Sequence, residues 1–299
     1  PEGGLYGFIG PNGAGKTTTI RMIMSILFSD EGEVRVLGHG SALDAKDRIG
    51  YLPEERGVYK KMKVGAFLQF MALLKGVDGS ETRGRVRDWL EKVGLAEVER
   101  KKCEELSKGM QQKIQIIAAV IHKPDLLILD EPFSGLDPVN MRLLRDLVLE
   151  EHRRGATVIF STHVMTQAEQ ICEHVVMIHE GRKRLDDALA DVRRRHDPRT
   201  IRFEPLNPDA DMEALRSVQG VTEVRMENGA YEIALDDSLS PADAIARLAA
   251  AAPASGIELR RPSLEDIFIS IVHEDAADAE AAEQLRASVR AGAVAGGAL

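Results

Sequence analysis

The chain has 299 residues, of which 44% are hydrophobic and 29% charged, and its formal net charge is −9. This length suits one large and one smaller globular domain, and the negative charge argues against a general nucleic-acid-binding role. Because no run approaches the ~20 apolar residues that span a bilayer, we expect neither a transmembrane segment nor a signal peptide. Cys103 and Cys172 are predicted to be thiols of a cytosolic protein rather than disulfide partners.

Short apolar segments alternate with helical patterns over residues 1–195, which predicts an α/β domain built on a parallel sheet. A helical stretch from Lys63 to Val120 predicts a subdomain beside that sheet. The predicted strands are Leu5–Ile9, Glu33–Val36, Leu126–Asp130, Thr157–Ser161 and His174–Ile178.

The most specific motif lies between the first predicted strand and a predicted helix over Thr19–Leu27. It fits the phosphate-binding pattern G-x-x-x-x-G-K-[ST]. Its glycines let the backbone wrap around an anion, and the helix start adds a positive end. We expect Lys16 to reach the β- and γ-phosphates of a nucleoside triphosphate and the Thr17 hydroxyl to bind Mg²⁺. The residues expected to contact the nucleotide are Gly10, Pro11, Asn12, Gly13, Ala14, Gly15, Lys16, Thr17 and Thr18.

A second anion-binding segment is predicted at the start of the helix over Ile114–Ile121. Ser107 precedes this helix and is of a residue type that favours a helix N-cap. A helix start can receive an anion. We therefore expect this segment to contact a γ-phosphate that a second copy of the protein holds.

The apolar strand Leu126–Asp130 brings two carboxylates, Asp130 and Glu131, to its carboxyl end, where they are suited to Mg²⁺-assisted hydrolysis. By position, Asp130 is predicted to hold the metal and Glu131 to act as the general base. Asp137 follows in a tight turn. The next strand ends at His163, whose imidazole we expect to contact the γ-phosphate and the attacking water.

Residues 200–272 predict a second domain, with a β-α-β-β-α-β order typical of a small α+β ferredoxin-like fold. A hairpin is predicted around Asn228 and Gly229. Residues 273–299 are rich in alanine and glutamate, and we expect a frayed helix followed by disorder.

Five motifs in this order make residues 1 to about 190 resemble the ATP-binding subunit of ATP-binding-cassette (ABC) transporters, a P-loop NTPase fold. The phosphate loop is similar to its Walker A motif and Leu126–Pro132 to its Walker B. Leu106–Gln111 resembles the signature sequence, Ser134–Asp137 the D-loop and Ser161–His163 the switch histidine. The segment Ile49–Gly57 lies where that family has its Q-loop. This segment and the C-terminal domain make the chain similar to ATPases of the ABC-2 export type, and the sodium-extrusion ATPases resemble it most.

The resemblance implies an ATPase that pairs head to tail with a second copy and powers export through a separate ABC-2 type membrane permease. It implies ATP and Mg²⁺ as cofactors and a cytoplasmic position, peripheral at the inner face of the membrane. It also implies that Glu54 of the Q-loop lies near the metal. The signature and D-loop residues that would complete the partner's ATP site are Ser107, Lys108, Gly109, Gln111 and Asp137.

The sequence departs from the family pattern at three places. Glu54 stands where most members have glutamine, and it adds negative charge beside a triphosphate. Lys108 and Met110 interrupt the usual Ser-Gly-Gly-Gln signature. The family's first strands and its adenine-stacking aromatic residue would precede Pro1, so we expect either a fragment or weaker adenine binding.

Two other functions remain open at this point. One is a soluble ABC-type ATPase that acts as a translation or nucleic-acid-associated factor. Three features of this sequence argue against that hypothesis: a single cassette, no long inserted coiled coil and a negative net charge. The other is a regulatory module that holds ATP without hydrolysing it, which would not need Glu131 as a general base.

Overall fold

A computed structural model of the chain describes residues 2–55, 57–196, 199–207, 213–227, 229–260 and 262–275. These residues fall into two compact units, one within Pro1–Leu189 and the other within Ala190–Glu274. The division that the sequence predicts near residue 195 stays a prediction. No helix within the described ranges combines the length and apolarity needed to span a bilayer.

The first unit contains one sheet of six strands. They are β1 (Leu5–Ile9), β2 (Ile49–Leu52), β3 (Leu126–Asp130), β4 (Thr157–Thr162), β5 (His174–His179) and β6 (Arg182–Ala188). Their order is β2-β3-β4-β1-β5-β6, and all pairs are parallel except β5 and β6. All five residues of β3 are buried, as the apolar run predicts for a strand in the middle of a covered sheet.

Six α-helices lie among these strands in the described part of the first unit. They are α1 (Lys16–Ile23), α2 (Val64–Leu74), α3 (Gly79–Lys92), α4 (Lys108–Val120), α5 (Pro138–Arg153) and α6 (Met165–Ile171). Helix α7 (Leu189–Arg195) follows β6, and all but its first residue belongs to the second unit. Helix α2 packs on both α3 and α4, and the buried residues of α2 and α3 include Phe67, Leu68, Val86 and Leu90. The predicted helical subdomain is therefore present.

The predicted strand Glu33–Val36 is wrong. Only an isolated bridge joins Val36 to His39. Glu33 and Arg35 are both largely exposed and form an ion pair with each other at 2.9 Å. Val36 is buried and Val34 is half-buried against the same core cluster, so the alternation of polar and apolar residues reflects two inward-facing valines rather than a strand of the sheet.

The second unit contains an antiparallel sheet of four strands with helices between them. The elements are β7 (Thr200–Pro205), α8 (Glu213–Arg216), β8 (Val221–Glu227), β9 (Ala230–Leu235), α9 (Pro241–Ala251), β10 (Ala254–Arg260) and α10 (Leu264–Asp275). The strand order is β10-β7-β9-β8. Numbered within this unit, that is fourth, first, third, second, which is the order of the ferredoxin-like fold.

The core of the second unit comes from alternate residues of the strands and from one face of α9. Ile201, Phe203, Ile233 and Leu248 are fully buried in one cluster. The β-α-β-β-α-β order that the sequence predicts is therefore confirmed. Asn228 of the predicted hairpin and residues 276–299 of the predicted tail lie outside the described residues.

Candidate nucleotide-binding site

Residues 10–15 form the loop that joins β1 to α1. A Cβ atom at Gly10 would lie 2.2 Å from the carbonyl oxygen of Ile178, so only glycine fits there. Gly13 and Gly15 have φ angles of 80° and 103°, a region that glycine enters without strain. Gly15 is the N-cap residue of α1. The loop therefore has the backbone freedom and the helix start that phosphate binding requires.

The Lys16 side chain lies over this loop and is almost completely buried, with 6% of its surface exposed. Its ammonium donates hydrogen bonds to the carbonyl oxygens of Gly10, at 2.8 Å, and Pro11, at 3.1 Å. Burial lowers the pKa of Lys16, and the nearby charges of Glu131, Asp130 and Glu54 oppose that shift. Lys16 is thus a buried cation with the Glu131 carboxylate 3.8 Å away and with the negative charges of Asp130 and Glu54 acting on it.

Asp130 ends β3 with only 1% of its surface exposed. Its Oδ1 atom accepts hydrogen bonds from the hydroxyls of Ser161, at 2.5 Å, and Thr17, at 3.3 Å. Its Oδ2 atom is buried and has no hydrogen-bond partner among the described residues. A buried carboxylate oxygen of this kind requires a donor or a cation.

These donors fit magnesium, which takes oxygen ligands and keeps several waters. The Thr17 hydroxyl and the Asp130 Oδ2 atom are oxygen donors at the end of the phosphate loop. No three His, Cys, Asp or Glu side chains in the described ranges cluster as a metal cage. A cation here would consequently depend on phosphate and water oxygens as well as on protein, as is usual for Mg²⁺ in nucleotide sites.

Glu131 follows Asp130 and leaves the strand through a φ angle of 47°, which is unusual for a residue other than glycine. Its Oε1 atom lies 2.9 Å from His163 Nδ1 and 3.8 Å from Lys16 Nζ. The backbone N–H of Glu131 donates to the Ser161 hydroxyl at 3.0 Å. Strand-end residues of β1, β3 and β4, which are neighbours in the sheet, therefore meet at one place.

Glu54 follows β2 and is exposed. It lines a cleft of about 280 Å³ together with both acidic residues at the end of β3. The remaining residues of this cleft are Leu52, Pro53, Gln112, Gln115, Pro132 and Ser134. The structure thus places Glu54 along the same cleft as Asp130 and Glu131.

The predicted signature residues lie on a separate, exposed surface. Ser107 caps α4 by accepting a hydrogen bond from the N–H of Met110 at 3.3 Å. Lys108 is exposed, and the Gln111 side chain donates to the carbonyl oxygens of Cys103 and Leu106, both at 3.1 Å. These bonds are local and do not include the phosphate loop.

Asp137 lies on this same surface. It caps α5 by accepting hydrogen bonds from the N–H groups of Val139, at 3.0 Å, and Asn140, at 2.9 Å. These bonds, led by the one from Asn140, lower its pKa. A Cβ atom at Gly109 would lie 3.2 Å from the Asn140 amide nitrogen, so the starts of α4 and α5 adjoin. We call Ser107–Gln111 and Asp137–Asn140 the signature surface.

Two residues of the site were not selected from the sequence as site residues. Ser161 bonds to both Asp130 and Glu131, and Gln112 donates its side-chain N–H to the carbonyl oxygen of Pro132 at 2.6 Å. Both are buried polar residues. The available signal was positional for Ser161, because it ends the strand that neighbours the Asp130 strand.

Family models match both parts of the chain. Residues 1–134 match the ABC transporter family, and residues 188–272 match the C-terminal domain of DrrA1-3-like ATP-binding proteins. The second match covers the ferredoxin-like unit, from α7 to α10.

Curated relatives are similar over most of their own length. The chain is 40% identical over 272 residues to the uncharacterized ABC transporter ATP-binding protein YhaQ of Bacillus subtilis, covering 91% of this chain and 90% of the relative. It is 33% identical over 282 residues to the linearmycin resistance ATP-binding protein LnrL of the same species, covering 90% of each. A solved ATP-binding subunit of an ABC transporter aligns with a TM-score of 0.61 and 32% identity over 65% of this chain and 82% of that one.

Proposed function

This chain belongs to the family of ABC transporter ATP-binding proteins, and we propose that it powers export through a separate ABC-2 type membrane permease. Membership of this family implies ATP hydrolysis. The match of residues 188–272 to the DrrA1-3-like C-terminal domain supports the ABC-2 export class. The similarity to a linearmycin resistance protein supports export over uptake.

One observation carries the proposed chemistry: Lys16, Asp130, Glu131 and His163 lie within one connected set of polar contacts. In the proposed mechanism the loop N–H groups and Lys16 bind the β- and γ-phosphates. Glu131 accepts a proton from the attacking water, and its bond to His163 holds the carboxylate in place. Burial strengthens each of these interactions because little solvent screens them.

Thr17 and Asp130 are the proposed holders of Mg²⁺, with Glu54 beside them. When bound, the ion would neutralise charge on the β- and γ-phosphate oxygens. The Asp130 Oδ2 atom, buried without a hydrogen-bond partner in the described residues, supports this assignment.

The signature surface is proposed to complete the ATP site of a second copy. We call the connected residues Lys16, Asp130, Glu131, Ser161 and His163 the Lys16 cluster. Ser107–Gln111 and Asp137 lie outside it, and the side chains of Ser107, Gln111 and Asp137 bond to backbone groups of residues near them in the sequence. The exposed start of α4 has the N–H groups and helix orientation that stabilise an anion. Two copies arranged head to tail would place each start of α4 against the partner's γ-phosphate.

The proposed contact with the permease lies near residues 54–62 and the exposed side of α2. Tyr59 is 57% exposed and Phe70 38% exposed, and their ring centroids lie 6.0 Å apart. Leu73 and Leu74 are more than half exposed on the same helix. Adjacent exposed apolar side chains are typical of a protein-binding surface. Binding of a cytoplasmic permease segment here would place the protein at the inner face of the membrane.

The experiment that tests this function is Glu131→Gln in the complex with the permease. We expect turnover to fall by about 10²- to 10⁴-fold because the general base is lost. ATP binding should persist, and the ATP-bound dimer should accumulate, as size-exclusion chromatography would show. Unchanged hydrolysis would remove Glu131 from the general-base role.

A further inference from the structure

Ser161 connects the two acidic residues of the site through one buried hydroxyl. It lies opposite Asp130 in the parallel pairing of β3 with β4, and its surface exposure is 0%. Its Oγ atom donates to Asp130 Oδ1 at 2.5 Å and accepts from the backbone N–H of Glu131 at 3.0 Å. We propose that Ser161 is a positioning residue that aligns the metal-holding and general-base carboxylates together. This inference rests on the proposed function of the site.

The first effect of Ser161 is on the orientation of the Asp130 carboxylate. A hydroxyl has a single proton to donate, and Ser161 uses it on Oδ1. Thr17 donates to the same oxygen from 3.3 Å, a longer and weaker bond. These bonds fix the orientation of the carboxylate. Its Oδ2 atom has no hydrogen-bond partner in the described residues and is available to bind the metal ion. Partners of this kind in a second coordination shell orient metal ligands and raise metal affinity.

The second effect is on the backbone at the general base. A parallel strand continuing past Asp130 would pair its next N–H with a backbone carbonyl of β4. The N–H of Glu131 instead bonds to a side-chain oxygen, and the chain turns to a φ angle of 47°. Such a conformation persists only where surrounding contacts hold it. It places the Glu131 carboxylate 2.9 Å from His163 Nδ1.

Loss of the Ser161 hydroxyl should therefore disturb two functions at once. Asp130 would keep only the longer bond from Thr17, and the Glu131 N–H would lose its acceptor. The Lys16 ammonium, by contrast, is held by the carbonyl oxygens of Gly10 and Pro11 and does not depend on Ser161. Binding of ATP without metal should consequently be independent of this serine.

The test compares Ser161→Ala, Ser161→Thr and Thr157→Val in the full-length protein. Ser161→Thr keeps a hydroxyl at the site. Thr157→Val is the matched control, because it removes a hydroxyl at the other end of β4 that accepts a hydrogen bond from the N–H of Gly3 at 2.9 Å. Melting temperatures establish that each variant folds. The affinity for a fluorescent ATP analogue is measured with Mg²⁺ and with EDTA, and turnover is measured against Mg²⁺ concentration.

For Ser161→Ala we expect a fall in turnover of about 10- to 100-fold, and a rise of similar size in the Mg²⁺ concentration for half-maximal activity. Its nucleotide affinity in EDTA should match the wild type, while the gain in affinity that Mg²⁺ gives should shrink. Ser161→Thr should recover most of both properties, and Thr157→Val should lose neither.

Wild-type turnover and Mg²⁺ dependence in Ser161→Ala would overturn the assignment of Ser161 while leaving the proposed function intact. An equal loss of affinity in EDTA would also overturn it, since the serine would then support the fold of the whole site. If the wild-type protein showed neither turnover nor tighter nucleotide binding with Mg²⁺, the proposed function and this inference would both fail.

Discussion

The Lys16 cluster and the signature surface differ in burial and in the partners of their polar groups. Lys16 and Asp130 are 6% and 1% exposed, and the ion pair of Lys16 with Glu131 and the hydrogen bond of Asp130 with Ser161 join residues far apart in sequence. Ser107 and Asp137 are exposed, and the hydrogen bonds of their side chains stay within three residues. One region is a connected network within the chain. The other is an exposed surface whose proposed function requires a second molecule.

The cause of this difference lies in the secondary structure that supplies each region. The cluster comes from the carboxyl ends of β1, β3 and β4, which lie side by side in the sheet and bring distant residues together. The signature surface comes from the starts of α4 and α5, where side chains cap their own helices. The buried region is therefore expected to control nucleotide binding, and the exposed region to control hydrolysis only after association.

The largest effect is expected from Lys16→Ala. It removes the cation of the cluster and with it the charged hydrogen bonds to phosphate, so nucleotide affinity should fall by about 100-fold. Isothermal titration with ATP measures this loss. Lys92→Ala is the matched control, because Lys92 lies at the end of α3, away from the site, and forms an ion pair with Glu150 of α5. Equal affinity in Lys16→Ala and the wild type would reject the phosphate-loop assignment.

The next effect tests the exposed region alone, through Gly109→Asp. An acidic residue in the first turn of α4 is compatible with the helix but repels a partner's γ-phosphate. Hydrolysis should be lost while each chain still binds ATP with wild-type affinity. Reduced ATP affinity of the isolated chain would place Gly109 at its own nucleotide rather than at the partner's.

Mixing the Lys16→Ala and Gly109→Asp chains sharpens that test. A head-to-tail dimer of one of each contains one site built from an intact loop and an intact signature surface. The mixture should therefore hydrolyse ATP faster than either variant alone. Additive residual rates in a titration of one variant into the other would speak against composite sites.

From the sequence, the residues of the phosphate loop and the two acidic residues were easier to predict than Ser161, which positions them. The glycines, Lys16 and the acids at the end of an apolar strand form a local pattern, so the loop and Leu126–Asp130 were found directly. Ser161 was part of a predicted strand end, but its role depends on which strand lies beside β3. That neighbour is separated from Asp130 by 31 residues, and the spacing alone does not show the contact.

Strand prediction missed β2, although Ile49 and Leu52 are buried, because its four residues were interpreted as part of the Q-loop segment Ile49–Gly57. It also failed where a strand is exposed or where a polar segment resembles the alternation of a strand. β6 was missed because Arg182–Ala188 is polar and no residue in it is fully buried. Glu33–Val36 was predicted as a strand, although its charged residues pair with each other in solvent. In the second unit, where the predicted order of elements is confirmed, helix α9 begins at Pro241 directly after its N-cap Ser240, a pair of residues typical of a helix start.

A smaller effect is expected from Glu54→Gln, in the cleft beside Asp130 and Glu131. Removing one negative charge from the cleft beside Asp130 and Glu131 should strengthen ATP binding by about 2- to 5-fold, since Glu54 is exposed and partly screened. ATPase activity should be retained, and its coupling to transport should change. The measurements are the affinity for ATP by titration and the number of ATP molecules consumed per substrate exported.

Glu55→Gln, one residue along and also exposed, serves as the control. Complete loss of ATP binding in Glu54→Gln would count against its place near the metal.

The smallest effect concerns a half-buried, neutral histidine outside the site, His122. Burial lowers the pKa of His122 from 6.5 to about 4, with a further contribution from the charge of Lys75. Its Nε2 atom lies 3.2 Å from the carbonyl oxygen of Ile49. The unfolded chain therefore binds more protons than the folded one between these pH values, so the free energy of unfolding rises with pH across this window. The contribution of His122 to the free energy of unfolding is therefore lost as the pH falls from 6.5 toward 4.

His122→Gln keeps a donor for Ile49 but cannot take up a proton. The variant should lose about 2 kcal/mol less of its unfolding free energy than the wild type between pH 7 and pH 4. Urea unfolding of the full-length protein at both pH values measures the difference. His39→Gln, at an exposed histidine, should leave the pH dependence unchanged. Identical pH dependence in His122→Gln and the wild type would show that burial costs this imidazolium little. The same burial argument for the charge of Lys16 would then need a direct titration of that lysine.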